Sequence, residues 1–360
     1  MKNKNTILHK EGFFMKALVL ESKKKLSLRD YPLDEKLGST DVQIKIGACG
    51  ICGSDIHFYR DGPKTFSGEE SPMILGHEAA GTVIAKGGKV ADFEVGDMVC
   101  MEPGIPQQWS RQVLEGMYNL DPHVVFWATP PVHGCLRETV IHPAQFCFKL
   151  PQGMTAAEGA MMEPLAIGIE AAKKAEIRPG DTGLVIGCGT IGVMCAVSAL
   201  AGGCSKVFIT DVKQEKLEIA AAYNKNIIPI NTGSVNIQEL IQKQTDGQGC
   251  DVLFEASGNP KVYPDFLQCA KRGGHAVLVG MMMEPVPIPV ALLQGLGIKI
   301  EGIFRYVNCF DRAINLVKSG KIDVKQFISK TFTFDQSIQA YEYADAGHPS
   351  TIKVMIELDP

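Results

Sequence analysis

Between Asp181 and Lys206 the chain carries no charged side chain, and Gly187, Gly189 and Gly192 cluster inside that stretch. A run of this length could cross a bilayer. Its glycines, serines, threonines and cysteines, with the glycine cluster near the middle, instead fit a strand, a tight turn and a buried helix. Short apolar runs recur from there on, at 183–187, 206–210, 227–230, 251–255, 276–280 and 298–301. Helical stretches such as 212–224 and 236–245 fall between them. Strands joined by helical crossovers predict an α/β unit with a parallel, doubly wound sheet.

The glycine cluster has a definite chemistry in that setting. Gly187-Cys188-Gly189-Thr190-Ile191-Gly192 is a full G-x-G-x-x-G between a strand and an apolar helix. Gly187 permits the tight turn, Gly189 a close approach of backbone to a pyrophosphate, and Gly192 close packing of helix on strand. The helix N-terminus at Thr190 and Ile191 offers free N–H groups and partial positive charge. The next strand ends at Asp211, nineteen residues after Gly192, where the fingerprint places an acidic residue for the ribose hydroxyls. Its charge would repel a 2′-phosphate, so NAD is expected over NADP. Lys213 and Lys216 lie close by and soften that exclusion, and Lys216 is a further candidate cofactor contact. Cys188 reads as small filler.

The first 150 residues have another texture, mostly strand (17–20, 42–46, 82–85, 98–101) between Gly, Pro and Asp turns. The change falls near Pro151, and the αβ alternation stops after Phe304. The expected organisation is a flexible extension at 1–14, or a start at Met15, then a first domain at 15–165 interrupted by a nucleotide-binding domain at 166–304 and resumed at 305–360. Net charge is −4, which argues against nucleic acid, and 45% hydrophobic residues argue against global disorder. Seven Lys against two Glu in residues 1–25 read as a solvated tail. Eleven cysteines, an odd number and mostly within apolar runs, point to a reducing, cytoplasmic setting. No secretory signal or membrane segment is expected.

Two clusters in the first domain carry metal-ligand chemistry: Cys52-Gly53-Ser54-Asp55-Ile56-His57, and Gly76-His77-Glu78-Ala79-Ala80-Gly81. A thiolate, an imidazole and a carboxylate suit a catalytic Zn²⁺, and Cys52 with Glu78 would cancel its charge. Cys49-x-x-Cys52 has no second C-x-x-C to complete a knuckle, so Cys49 reads as strand filler. His123, His133, His142, His275 and His348 are isolated. Glu102 reads as buried and salt-bridged.

The stretch 76–90, GHEAAGTVIAKGGKV, matches the zinc alcohol dehydrogenase signature. With the dinucleotide fingerprint it resembles the medium-chain dehydrogenase/reductase superfamily from about Met15 onward. Within it, Glu102-Pro103-Gly104, Tyr118-Asn119-Leu120, the run Phe126–Pro131, Glu163-Pro164-Leu165 and Phe304-Arg305-Tyr306 resemble the sorbitol/xylitol (polyol) dehydrogenases. The resemblance implies a Rossmann sheet inserted into a mainly-β, GroES-like catalytic domain, and a homotetramer, with a dimer as the alternative, through the nucleotide-domain edge around 286–299, where 286–289 is a candidate edge strand. It implies Cys52, His77 and Glu78 as ligands of one catalytic zinc, with Glu163 either binding the metal or holding its water, and Asp55 orienting His77. No Cys lies between Glu102 and Leu120, so no structural zinc is expected.

The reaction so implied is reversible, zinc-dependent oxidation of a polyol secondary alcohol to the ketose, with NAD as hydride acceptor. Ser54 would begin a proton relay and His57 finish it, unless Ser54 caps a helix starting at Asp55. Glu163, Arg305 and Tyr306 are the candidate hydroxyl contacts, with Phe126 and Thr129 lining the cleft. Arg305 could instead touch the cofactor or a backbone carbonyl, and Lys353 could pair with Glu163 or Glu78. Phe58 stands where relatives often carry Tyr. The alternative is a related zinc dehydrogenase for another secondary alcohol: arabinitol, galactitol-phosphate, butanediol or threonine. No Arg/Lys cluster suited to a phosphate is evident.

Overall fold

The computed structural model describes residues 13–64, 68, 71–107, 109–282 and 284–358. One sheet holds six parallel strands, in the spatial order Ile227–Asn231, Lys206–Asp211, Thr182–Ile186, Cys250–Glu255, Ala270–Leu278, Lys299–Gly302. Every apolar run expected as a strand lies in or overlaps one of these. The chain direction of assembly reverses between Thr182–Ile186 and Cys250–Glu255, which opens a crevice at their C-terminal ends.

The charge-free stretch owes its composition to burial on all sides. Gly183–Ile186 is buried in the centre of the sheet. Helix Thr190–Gly202 is buried from Gly192 to Ala199 and packs against helix Met162–Lys174. The two helices approach so closely that a Cβ on Gly168 would lie 2.3 Å from the Met194 carbonyl oxygen. A polar face on either helix would be left without water there.

A second, mostly antiparallel sheet has seven strands. Along it run Cys147–Lys149, Met98–Met101, Glu78–Lys86, Asp41–Gly50, Lys353–Glu357 and Ile328–Thr333, with Thr139–Pro143 paired separately to Asp41–Gly50. Its last two strands in sequence come from beyond the parallel sheet, so the chain does return to complete the sheet it began. The two pieces also touch at Thr190, whose hydroxyl donates to the Ile352 carbonyl at 2.5 Å.

Three expectations need correction. Phe13–Ser22 is a strand paired with Lys25–Leu33, so residues 13 and 14 of the supposed extension belong to a sheet, while 1–12 lie outside the described residues. Residues 286–289 form no strand; prolines at 285, 287 and 289 remove the N–H donors a ladder needs, and Lys299–Gly302 is the outer strand. Ser54 caps no helix: the helix is Gly53–Asp61, Cys52 holds the N-cap position, and Ser54 lies in its first turn.

All eleven cysteines are free. Cys49 faces the Cys135 sulfur at 3.6 Å, away from any pairing with Cys52, as filler in the core. Among the described residues no helix is long and apolar enough to cross a membrane.

Candidate functional site

Strand register brings the metal-ligating residues together. Gly50 pairs with Glu78 on one side and with Met355 on the other. The chain then leaves the sheet at Ile51 and Cys52, beside His77 and Glu78. Gly76, at φ +87°, makes the turn that delivers His77 to the start of its strand. The ligand atoms of Cys52, His77 and Glu78 all lie within 4.8 Å of one another.

The surroundings suit a cation. Asp55 is fully buried; its Oδ2 accepts the Cys52 N–H at 3.1 Å and its Oδ1 the Gly76 N–H at 3.3 Å. The same Oδ1 lies 3.6 Å from His77 Nδ1, just beyond hydrogen-bond reach, and that nitrogen is buried without a hydrogen-bond partner among the described residues. Burial works against a protonated His77, yet the Asp55 carboxylate and Cys52 outweigh it and raise the imidazole pKa well above its ordinary value. A divalent cation would meet that same negative field. The soft thiolate, imidazole and carboxylate together fit zinc.

Glu78 has a partner the sequence only hinted at. Lys353, fully buried on the C-terminal strand, donates to both Glu78 oxygens at 2.6 and 2.7 Å and to the Ile51 carbonyl at 3.0 Å. Burial disfavours its charge, but Glu78 more than compensates and raises its pKa. The sequence signal for it is a lone lysine between Ile352 and the apolar run Val354–Ile356.

Glu163 stands in the first turn of helix Met162–Lys174 and accepts a hydrogen bond from the Tyr306 hydroxyl at 2.8 Å. It is not among the three clustered donors. Burial pushes its pKa up to about 7, with His77 pulling down and Glu78 pushing up. Tyr306 is only 2% exposed, and its hydroxyl donates to Glu163. Phe126 lies 5.4 Å, ring to ring, from His77. The Arg305 guanidinium is sandwiched 3.7 Å from the Phe126 centroid and 4.6 Å from that of Phe304. Thr129, three residues on from Phe126, sits in a bridge with Val132. Ser54 is half-buried and His57 exposed one helical turn on, while Phe58 packs into the neighbouring core.

Glu102 is buried, but the expected salt bridge is absent among the described residues. Burial raises its carboxyl to about 7, with the Tyr118 hydroxyl pulling it down and Glu163 adding to the rise. Its carbonyl accepts from His142 Nε2 at 2.9 Å. His142 is buried against Trp127, and its pKa falls to about 4, chiefly by desolvation. His133 Nδ1 accepts the Ile74 N–H. Neither histidine joins the metal cluster.

At the nucleotide loop Gly187 has φ +97°, and a Cβ on Gly192 would lie 1.8 Å from the Gly187 carbonyl oxygen. Asp211 reaches the loop: Oδ2 accepts the Cys188 N–H and Oδ1 the Lys213 N–H, each at 2.9 Å. Those bonds fix the carboxylate while leaving it lone pairs for a ribose. The Cys188 thiol, buried and raised to about 12, donates to the Lys216 carbonyl. Thr190 offers a ligand only its backbone, since Ile352 takes its hydroxyl. The Ile191 side chain is half-buried on the same turn.

Residues 38–152 match the alcohol dehydrogenase GroES-like domain and residues 190–319 the zinc-binding dehydrogenase domain. The chain is 49% identical to the D-xylulose reductase of Morganella morganii, over 92% of this chain and 97% of that one. It is 35% identical to the sorbitol dehydrogenase of Mus musculus, covering 96% of each. Among solved structures, the 2R,3R-butanediol dehydrogenase of Bacillus subtilis superposes with a TM-score of 0.86 at 27% identity, over 96% of this chain and 100% of that one.

Proposed function

The chain belongs to the zinc-dependent polyol dehydrogenases of the medium-chain dehydrogenase/reductase superfamily, and from that premise we propose that it interconverts xylitol and its ketose with NAD, with sorbitol a second substrate. The observation that carries this is the donor trio Cys52, His77 and Glu78 within 4.8 Å, walled by Phe126 under the Arg305 guanidinium. Cys52, His77 and Glu78 would hold one catalytic zinc. When bound, zinc supplies Lewis-acid polarisation of the alcohol oxygen and NAD supplies the hydride acceptor.

The chain's own residues do the rest. Asp55 fixes the His77 ring, and Lys353 offsets the Glu78 charge. Glu163, held at Oε1 by Tyr306, would hold the water of the metal site or bind the metal itself. Ser54 takes the alcohol proton and His57, at the surface, delivers it to solvent. Arg305 donates to hydroxyls remote from the reacting carbon, with Phe126 and Thr129 as cleft wall. Glycines 187, 189 and 192 with the backbone at Thr190 and Ile191 cradle the pyrophosphate; Asp211 takes the ribose hydroxyls, with Lys216 beside it.

The division into 15–165 with 305–360 and an inserted 166–304 belongs to this reading, supported by the return of the last strands to the first sheet. A cytoplasmic homotetramer belongs to it too; light scattering on the purified protein tests the assembly.

The functional test is NAD reduction across xylitol, sorbitol, arabinitols, galactitol, threonine and butanediol, with and without a chelator. Turnover of xylitol or sorbitol, lost with chelator and restored by zinc, is the expected result. Turnover of threonine or butanediol alone would keep the zinc chemistry and remove the polyol assignment. Butanediol is the second reading, favoured by the structural likeness noted above.

A further inference from the structure

The segment 304–308 joins the outer strand Lys299–Gly302 to helix Phe310–Lys318. Two of its residues, Arg305 at φ +58° and Asn308 at φ +53°, occupy the left-handed region without being glycine. Such residues persist only where their neighbours over-determine the backbone. The neighbours here come from two directions. From helix Met162–Lys174, Glu170 accepts the Val307 N–H at 3.4 Å and Lys173 donates to the Val307 carbonyl at 3.0 Å.

From the first domain a single dipeptide grips both flanks. Asn119 Nδ2 donates to the Phe304 carbonyl at 2.6 Å, and the Asn308 N–H donates to the Tyr118 hydroxyl at 2.9 Å. Arg305 lies between the two attachment points. Tyr118 is itself anchored, with its ring edge-on to Phe146 at 6.2 Å and its hydroxyl beside the buried Glu102 carboxyl. Glu102, Tyr118, Asn119, Phe126, Arg305 and Tyr306 together border a void of about 10 Å³, room for one water. Arg305 Nη1 is buried there with no hydrogen-bond partner among the described residues.

We propose that Tyr118 and Asn119 are positioning residues for the polyol: they fix residues 304–308 so that Arg305, clamped between Phe126 and Phe304, presents its donors to a substrate hydroxyl away from the reacting carbon. The inference rests on the reading of Arg305 as a substrate contact. A guanidinium donates in a fixed fork, so its value depends on the backbone that aims it. A bond on each side of Arg305 limits rotation of the segment as one bond could not.

The test is steady-state kinetics of the zinc-loaded, full-length enzyme with xylitol and NAD, on Tyr118→Phe, Asn119→Ala, Arg305→Ala and the double variant Tyr118→Phe/Arg305→Ala. Each single variant raises the xylitol KM about fivefold or more, the size of one lost hydrogen bond, with kcat within about twofold. The KM for NAD stays at the wild-type value in Tyr118→Phe and Asn119→Ala. The double variant matches Arg305→Ala, because the positioning acts only through that side chain. An unchanged xylitol KM in both Tyr118→Phe and Asn119→Ala, beside a raised one in Arg305→Ala, overturns the positioning role alone. An additive double variant, or a parallel rise in the NAD KM, overturns it as well. If Arg305→Ala leaves the xylitol KM unchanged, the substrate-contact reading fails and takes this inference with it.

Discussion

The glycine loop and the zinc-side cleft prepare for a ligand by opposite means. In the proposed reading the working groups at 187–192 are backbone N–H donors, and side chains matter there chiefly by being absent. A Cβ on Gly192 would sit 1.8 Å from a carbonyl oxygen that cannot move aside. In the cleft the working groups are side chains from five separated places: Cys52–Asp55, His77–Glu78, Glu163, Arg305–Tyr306 and Lys353. Most are buried and ionisable, and each depends on a partner brought from elsewhere. The loop should therefore fail when atoms are added, and the cleft when a charge partner is removed.

Lys353→Met gives the largest effect on stability. It leaves Glu78 buried at 1% exposure without its counter-charge, which should cost the metal-free protein about 3–5 kcal/mol in denaturant unfolding. Zinc should restore part of that loss, because the metal supplies the missing positive charge. A variant as stable as wild type without metal would break the contrast. Gly192→Ala comes next, at about 3 kcal/mol, since the close neighbour is backbone and not a flexible side chain. Its signature is weaker NAD binding at full zinc occupancy, read by titration and metal analysis. Loss of zinc together with NAD affinity would contradict the separation of the two regions.

Glu102→Gln is the smallest and its sign depends on pH. The Glu102 carboxyl is raised from 4.5 to about 7, chiefly by burial. The folded state thus holds its proton more tightly than the unfolded chain does. Its contribution to stability is fully present below about 4.5 and is lost as pH rises through about 7. Replacing it by the neutral amide should leave the melting temperature near wild type at pH 4.5 and above wild type at pH 8. The gain is roughly 2–3 kcal/mol. A variant that loses stability at pH 8 would mean that Glu102 is held there as a satisfied anion.

The same contrast explains what could be read from sequence. The glycine loop, its acidic partner Asp211 and the six parallel strands are local patterns, fixed by backbone geometry and continuous burial, so they stand in the sequence in order. The metal trio was readable by residue type and by the resemblance of 76–90. Asp55 beside His77 and Lys353 beside Glu78 were both among the expectations, but the choice between Glu78 and Glu163 for Lys353 stayed open, because a hydrogen bond across 275 residues leaves no periodic trace. Nor does anything near Tyr306 in sequence say that its hydroxyl donates to Glu163. Glu102 was read correctly as buried and wrongly as paired, since a hydroxyl and a cation are equally far away in sequence. The proline-rich stretch at 286–289 failed as a strand on backbone chemistry alone.

The central claim is that Cys52, His77 and Glu78 hold the metal on which polyol oxidation depends. Metal analysis of wild type and His77→Ala, purified identically and assayed for NAD reduction with xylitol, tests it most directly. The account predicts one zinc per wild-type chain, little or none in the variant, and activity that falls with the zinc. A His77→Ala protein that keeps a full zinc, or a wild-type enzyme that still oxidises xylitol after its zinc is stripped, would contradict it.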